Sequence, residues 1–306
     1  MRALITGSTG FVGAALARSL VERGVTVHPL VRRTAAEGEV GIDLAARHLD
    51  LGGLPGGDLR EVDVVFNLAG EPLTPRRWGP AKTERIRSSR ILTTDLVARA
   101  IATTESDRLP ALVSMSAVGY YGDRGDELLD EDAAAGTGFL AEVCRSWEAA
   151  TATARDAGAR VVCCRSGVVL GPGGVLARQR PLFRAGLGGR LGSGRQWMSW
   201  VGLDDVLAAL WHCATGSVSG AVNLCAPNPV RNSEFTTVLA GLVHRPSFVA
   251  VPRPLLRLTL GRRVTDELVL ASQRCVPERL EASGFSFAEP DLAACLSSLE
   301  ARRSRR

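Results

Sequence analysis

Gly7-Ser8-Thr9-Gly10-Phe11-Val12-Gly13 is the segment of this sequence whose residue types and spacing speak most directly of chemistry. Its glycines let a backbone turn tightly and bring N–H groups close to a phosphate. A helix opening there would add the positive end of its dipole. A turn without a ligand is the plainer alternative, because glycine-rich turns are common. The segment follows an apolar run and opens a helical pattern, and that context favours a dinucleotide phosphate loop. After the next β-rich run come Arg32 and Arg33. An NAD site would place a carboxylate about 20 residues past the loop for the ribose 2′-hydroxyl. Guanidinium groups suit a 2′-phosphate instead, through charge-assisted hydrogen bonds. The expected cofactor is NADP, with a solvated arginine pair as the alternative.

A second set of candidates lies near the middle of the chain. Ser114 and Ser116 share one face of an apolar run, and Tyr120 and Tyr121 follow on a loop,. Ligands of open α/β sheets bind at the C-terminal ends of strands, so these hydroxyls are candidate acids or bases. Aromatic packing explains the two phenols about as well. Further on, Arg195 stands beside Trp197 and Trp200, after Gly186-Leu187-Gly188-Gly189. Two indoles and a guanidinium could stack on a planar or sugar ring and fix an anionic group. Core packing accounts for a tryptophan pair just as often. Arg145 and Glu142 are possible polar site residues, with a solvated helix face the alternative for Glu142. Asp204-Asp205 reads as a helix N-cap pair and not a metal site. Seven cysteines without a CxxC pair read as buried reduced thiols, and no metal centre is expected,.

These groups need elements to hold them. Ala3–Thr6, Val25–Val31, Val62–Leu68, Ala111–Ser116 and Arg160–Val169 read as strands. Val12–Glu22, Arg85–Ala102 and Phe139–Ala157 read as helices. Short apolar runs alternating with helices imply βαβ units and a parallel sheet. Beyond Gly171 the texture changes to a Gly- and Arg-rich stretch, 171–194, with one short helix, then isolated elements punctuated by proline. The expected fold is a Rossmann-type doubly wound α/β sheet over residues 1–165, with a smaller substrate lobe over 166–306. At 306 residues, 45% hydrophobic and 23% charged, the composition excludes disorder, collagen-like repeats and coiled coils,. No apolar run approaches the ~20 residues that cross a bilayer, and the N-terminus lacks a signal-peptide h-region. A cytoplasmic protein is expected, without membrane or nucleic-acid partners. The formal net charge of +5 sits largely in Arg178–Arg195 and the tail Arg302-Arg303-Ser304-Arg305-Arg306, which reads as a frayed solubilising terminus,.

With these segments in hand the sequence resembles the extended branch of the short-chain dehydrogenase/reductase superfamily, and within it the NAD-dependent epimerase-like proteins. The resemblance covers nearly the whole chain. It is carried by the Gly7–Gly13 loop, Asn67-Leu68-Ala69-Gly70-Glu71, Ser114 through Gly122, Arg165 through Gly171, and Gly192 through Trp200. Gln273 through Phe285 resembles the short C-terminal domain of unknown function found in that group, about residues 250–300 here. The resemblance implies NADP contact at Gly7, Thr9, Gly10, Phe11, Val12, Arg32, Leu68, Ala69, Gly70, Arg90 and Val169, with Asp43 reaching the adenine.

One departure matters. Most members of the superfamily use a Tyr with a Lys four residues later on one helix, the ammonium lowering a phenol pKa of about 10. This chain has two tyrosines, Tyr120 and Tyr121, and a single lysine, Lys82, which precedes both. The helix that should carry the pair begins Phe139-Leu140-Ala141-Glu142-Val143-Cys144-Arg145. Ser116 aligns with the superfamily's substrate-orienting hydroxyl, and Tyr121 or Tyr120 is the candidate replacement acid. Two function classes follow: an NADP-dependent oxidoreductase or epimerase with a diverged acid–base set, acting on a sugar-nucleotide or carbonyl compound, or an NADP-binding sensor or scaffold without turnover.

Overall fold

Apolar runs covered by helices on both faces form a parallel sheet here, because only burial on both sides suits strands without a polar face. The structure, a computed structural model, describes residues 1–73 and 76–304. Its strands are β1 (Arg2–Thr6), β2 (Thr26–Val31), β3 (Val40–Asp43), β4 (His48–Asp50), β5 (Val64–Asn67), β6 (Ala111–Ala117), the short β7 (Leu128–Leu129), β8 (Val161–Ser166) and β9 (Val168–Leu170). The main sheet has eight strands, in the order Gly220–Leu224, β8, β6, β5, β1, β2, β3, β4. Every pairing in it is parallel except β3 with β4. Strand order reverses between β1 and β5, which opens a crevice at their C-terminal ends,. This is the doubly wound α/β sheet expected from the sequence.

Three boundaries differ most from expectation, two for local reasons and one because of a distant contact. After α1 (Phe11–Glu22), helix α2 runs Pro80–Ala102, starting earlier than Arg85. Gly79 supplies its N-cap and Pro80 its first turn, where a missing N–H costs nothing,. Helix α3 (Phe139–Ala149) ends before the expected Ala157, and a separate turn of helix covers Ala152–Asp156. Thr151 turns its hydroxyl onto the Glu148 carbonyl at 2.7 Å at that break,. The run Arg160–Val169 splits at Gly167, where the chain leaves β8 and Val168 N–H bonds Ser199 O at 2.8 Å. A Cβ on Gly167 would lie 2.7 Å from that same carbonyl.

The sheet also extends past residue 165, since its edge strand Gly220–Leu224 comes from the second half of the chain. That half has its own core of Leu176, Phe183, Trp200, Phe235, Leu239 and Leu296. Its last residues are not separate: Leu280 and Phe285 pack with Ala3 and Ile5 in the main core. Asp205, in the first turn of the helix Leu203–Thr215, is buried and accepts from Ala288 and Glu289 N–H at 2.8 and 3.1 Å. It therefore ties the C-terminal segment down and does not cap its own helix. Nor is the basic tail frayed where it is described. Arg302 pairs with Asp204 at the end of the helix Leu292–Ser304, while Arg305 and Arg306 lie outside the described residues. All seven cysteines are buried and unlinked. Among the described residues no helix is long and apolar enough to cross a membrane, and no metal-ligating cluster occurs.

Candidate cofactor and substrate site

At the switch point lies a cavity of 680 Å³ lined by Gly7, Thr9, Gly10, Leu30, Arg32, Arg33, Leu68 and Ala69, among others. Its floor is held by a buried polar cluster. Thr6 Oγ1 donates to Asn67 Oδ1 at 2.9 Å and accepts from Leu68 and Ala69 N–H, both at 2.9 Å. Asn67 in turn donates to Thr94 and Ser114 hydroxyls at 2.7 and 3.0 Å. The two strand ends that frame the crevice are thereby locked in register. Gly7 has φ +70°, and a Cβ there would meet the Ala69 backbone at 3.0 Å. Gly13 is tighter still, since its Cβ would lie 2.1 Å from Gly7 O. The glycines let α1 press its N-terminus against the loop, whose Gly7–Gly10 backbone lines the cavity,.

Beyond the loop the arginines divide. Arg33 is held by Glu39 through two bonds of 2.8 and 2.6 Å, and Glu39 also accepts Ala36 N–H at 2.9 Å. The Arg33 guanidinium holds the Glu39 carboxyl below its ordinary range. Arg32 lines the same cavity with no bonded partner among the described residues. Asp43 sits at the exposed end of β3, its Oδ1 bonded to Ala45 and Ala46 N–H at 2.8 and 2.9 Å, while its neighbours Ile42 and Leu44 face the cavity.

Other expected contacts stand one layer back. The Phe11 ring packs on Gly171 and Gly173, where a Cβ would approach it to 2.7 Å. Val12 and Val169 pack against the main core. Arg90 lies behind Gly70, with Nη1 3.1 Å from Glu71 O and its guanidinium 5.0 Å from the Trp147 ring centroid. It clamps the Gly70–Glu71 chain, which Lys82 also grips through Glu71 at 2.6 Å.

The hydroxyls expected to do chemistry are mostly bound elsewhere. Ser116 is buried and donates to Glu148 Oε1 at 2.6 Å. Glu148 receives Arg165 Nε and Nη2 at 2.9 and 3.0 Å. Arg165 Nη1 continues to the Tyr121 hydroxyl at 2.9 Å, and that hydroxyl donates to Asn223 Oδ1 at 2.7 Å. Tyr121 is fully buried, and burial pushes its phenol well above the ordinary range. The expectation that Tyr121 acts as a replacement acid therefore fails: its proton is buried and already donated. Tyr120 is half-buried, with Arg165 3.5 Å above its ring. Its phenol bonds no described residue. Neither Glu148 nor Arg165 was expected as a site residue, although an arginine inside Val161-Val162-Cys163-Cys164-Arg165-Ser166 had to be paired to be buried.

Between the sheet end and residues 250–272 runs a cleft of two adjoining lobes. The inner lobe, 310 Å³, touches Gly119, Gly138, Leu140 and Glu267. The outer lobe, 490 Å³, is lined by Arg195, Arg231, Arg253, Asp123 and Asp126 among others. Asp123, Arg253 and Leu270 belong to both. Glu267 crosses to α3 and accepts Leu140 N–H at 2.9 Å. Arg145 and Glu142 lie outside this cleft, around a surface hollow where Glu142 pairs with Arg87 at 3.1 Å. The tryptophans do not form a stacking platform. Trp200 is fully buried with Nε1 on Asn228 O at 2.9 Å. Trp197 has Arg231 and Arg274 over its ring at 4.3 and 4.5 Å and its Nε1 on Asp126 at 2.9 Å.

Comparison with known proteins agrees with this arrangement. Residues 3–225 match the "NAD dependent epimerase/dehydratase family" and residues 251–299 match a "Domain of unknown function (DUF1731)". An epimerase family protein of Mycobacterium bovis is 44% identical over 285 residues, 92% of each chain. The crystal structure of human epimerase family protein SDR39U1 with NADPH superposes with a TM-score of 0.88 at 33% identity, covering 98% of this chain and 99% of that one. A structure described as a nucleoside-diphosphate sugar epimerase from Corynebacterium glutamicum gives 0.78 at 37% identity, covering 98% of this chain and 58% of that one. The chain belongs to the NAD dependent epimerase/dehydratase family.

Proposed function

We propose that this chain is an NADP(H)-dependent oxidoreductase of the epimerase type, working in the cytoplasm on a small polar substrate held in the two-lobed cleft. The observation that carries the cofactor is Arg32. It is the one guanidinium on the adenosine side of the cavity without a bonded partner among the described residues, since Glu39 holds Arg33. The cradle fits a dinucleotide, because the Gly7–Gly10 backbone lines the cavity while Gly13 lets the helix N-terminus pack against that loop, where a Cβ would lie 2.1 Å from Gly7 O,. The human relative was crystallised with NADPH, which supports the same reading. Bound there, the nicotinamide would supply or accept a hydride. The chain's own residues would hold it: Thr6 fixes Leu68 and Ala69, which line the cavity, Asn67 fixes Thr6, and Arg90 braces the Gly70–Glu71 chain through the Glu71 carbonyl.

The test is calorimetric titration of NADPH and NADH into wild type, Arg32→Ala and Arg33→Ala. Losing a charge-assisted bond costs about 1.5–3 kcal/mol, so Arg32→Ala should weaken NADPH by roughly tenfold to a hundredfold and leave NADH unchanged. Arg33→Ala should act less, because that guanidinium already serves Glu39. Equal affinity of wild type for the two cofactors would remove the basis of the assignment.

A second reading, an NADP(H) sensor or scaffold without turnover, is favoured by one observation. Ser116, Tyr120 and Tyr121 line neither lobe of the cleft. Single-turnover fluorescence of bound NADPH against a panel of carbonyl compounds separates the two: hydride loss to any member supports the enzyme, and none supports the sensor.

A further inference from the structure

We infer that one end of the second half of the chain docks on an anionic phospholipid surface. Asp and Glu supply 32 of the 306 residues, yet none falls within 157–203 or 235–265. Those two stretches fold against each other. Strand Gly189–Leu191 pairs in parallel with strand Val249–Val251, so Leu187 and Phe248, just ahead of the paired residues, lie at the same end of that small sheet. The helix Gly174–Arg184 reaches this end too. Leu187 N–H donates to Leu182 O at 2.9 Å, and Arg245 Nε donates to Arg184 O at 3.0 Å. None of these residues lines the cofactor cavity or the two-lobed cleft.

What this end presents is apolar side chains among guanidiniums. Leu182, Leu187 and Phe248 are 52, 64 and 94% exposed, so almost nothing of the Phe248 ring rests on the protein. Large apolar groups left together in water mark a contact surface. Arg178, Arg184 and Arg245 are exposed around them. Arg178, one helical turn ahead of Leu182, has no bonded partner among the described residues,. Arg245 bonds a carbonyl, which does not neutralise it. Glu300 reaches in from the helix Leu292–Ser304, but it is divided among Arg180, Arg184 and Arg303 at 3.1, 2.8 and 3.5 Å. The end is therefore basic as well as apolar.

That combination selects the partner. Phospholipid headgroups offer negative charge to the arginines, and the acyl boundary accepts leucine and phenylalanine without a matching cavity. A nucleic acid would engage the arginines and leave both leucines uncovered. A second copy of this chain would set Arg178, Arg184 and Arg245 against themselves across a two-fold axis. Peripheral docking needs no spanning helix, and none occurs among the described residues. It departs from the expectation of no membrane partner, which rested on the length of apolar runs.

The test is sedimentation of the full chain with vesicles of phosphatidylcholine alone and of phosphatidylcholine mixed with an equal part of phosphatidylglycerol. The chain should bind the mixed vesicles and not the neutral ones, and release them as salt rises from about 0.1 to about 0.5 M. Leu187→Ser combined with Phe248→Ser should weaken binding by roughly tenfold to a hundredfold, and Arg178→Gln by about fivefold. Arg108→Gln, an equal loss of charge in the loop before β6, should leave it unchanged. All four positions are exposed, so melting temperatures should stay at the wild-type value. No binding to the mixed vesicles, equal binding to the neutral ones, an unchanged Leu187→Ser/Phe248→Ser variant, or an Arg108→Gln effect equal to that of Arg178→Gln would each overturn the inference. Binding to polyglutamate or single-stranded RNA without binding to the mixed vesicles would do the same, and would assign the face to an acidic peptide or a nucleic acid.

Discussion

Arg165 shows how one residue can be visible in a sequence while its role is not. A guanidinium inside an apolar strand must be paired, and that much was legible. Its partners were not: Glu148 comes from a helix whose inward face periodicity alone did not fix, and the Tyr121 hydroxyl and Glu131 carbonyl come from a loop more than 30 residues earlier in the chain. Consequently Ser116 and Tyr121, expected as free hydroxyls, turn out to be links in a buried chain from Glu148 to Asn223. Tyr121→Phe should therefore act on stability. It removes the partner of a buried amide oxygen and of a buried guanidinium, a loss of about 1–3 kcal/mol by urea unfolding, with NADPH affinity unchanged. A weaker affinity for NADPH at full stability would return Tyr121 to the site. The Trp197 and Trp200 pair misled in the same way, since indoles that could stack on a sugar can equally be covered by arginines or packed in a core.

At the scale of elements, the phosphate loop was the most legible part, because glycine spacing between a strand and a helix is a local signal. The three glycines nonetheless serve different ends. A Cβ at Gly10 meets only Gly7 O at 3.2 Å, whereas one at Gly13 would lie 2.1 Å from that oxygen. Gly13→Ala should push α1 off the loop, lowering both thermal stability and NADPH binding. Gly10→Val should impair NADPH binding while the melting temperature stays near wild type. Thermal melts paired with NADPH titration read both, and equal behaviour of the two variants would contradict this division. Boundaries set by distant contacts were harder to foresee. The split of β8 from β9 at Gly167 answers to Ser199, a residue beyond any local window.

Across the whole molecule, Glu131 joins three distant segments, accepting from Asn223 N–H at 2.8 Å and lying 3.4 Å from Arg279 N. Burial raises its carboxyl above the ordinary 4.5. The folded state then holds that proton more tightly than the unfolded chain, so this residue's contribution to stability falls as pH rises from about 4.5 through the raised value,. Glu131→Gln keeps an acceptor for Asn223 and cannot ionise. Its stability relative to wild type should rise across that window and level off above it, as urea midpoints measured at several pH values would show. A constant difference would mean that burial does not perturb this carboxyl. The division at residue 165 expected from composition did not anticipate such ties, because a change of texture along the chain says nothing about which strand completes a sheet.

Leu280 and Phe285 belong to the same continuous core as Ala3 and Ile5, and this has a consequence for how the protein is made. Translation runs at roughly 5–20 residues per second, so the first strand leaves the ribosome on the order of tens of seconds before its last core partners exist. During that interval the core that β1 and α1 begin is incomplete, because α1 packs on the helix Leu203–Thr215, the sheet is completed by Gly220–Leu224, and Leu280 and Phe285 join the same core later still. The nascent chain is thus a client for chaperones until nearly its whole length has been synthesised, and a stalled chain ending before Leu280 should remain protease-sensitive in its N-terminal half.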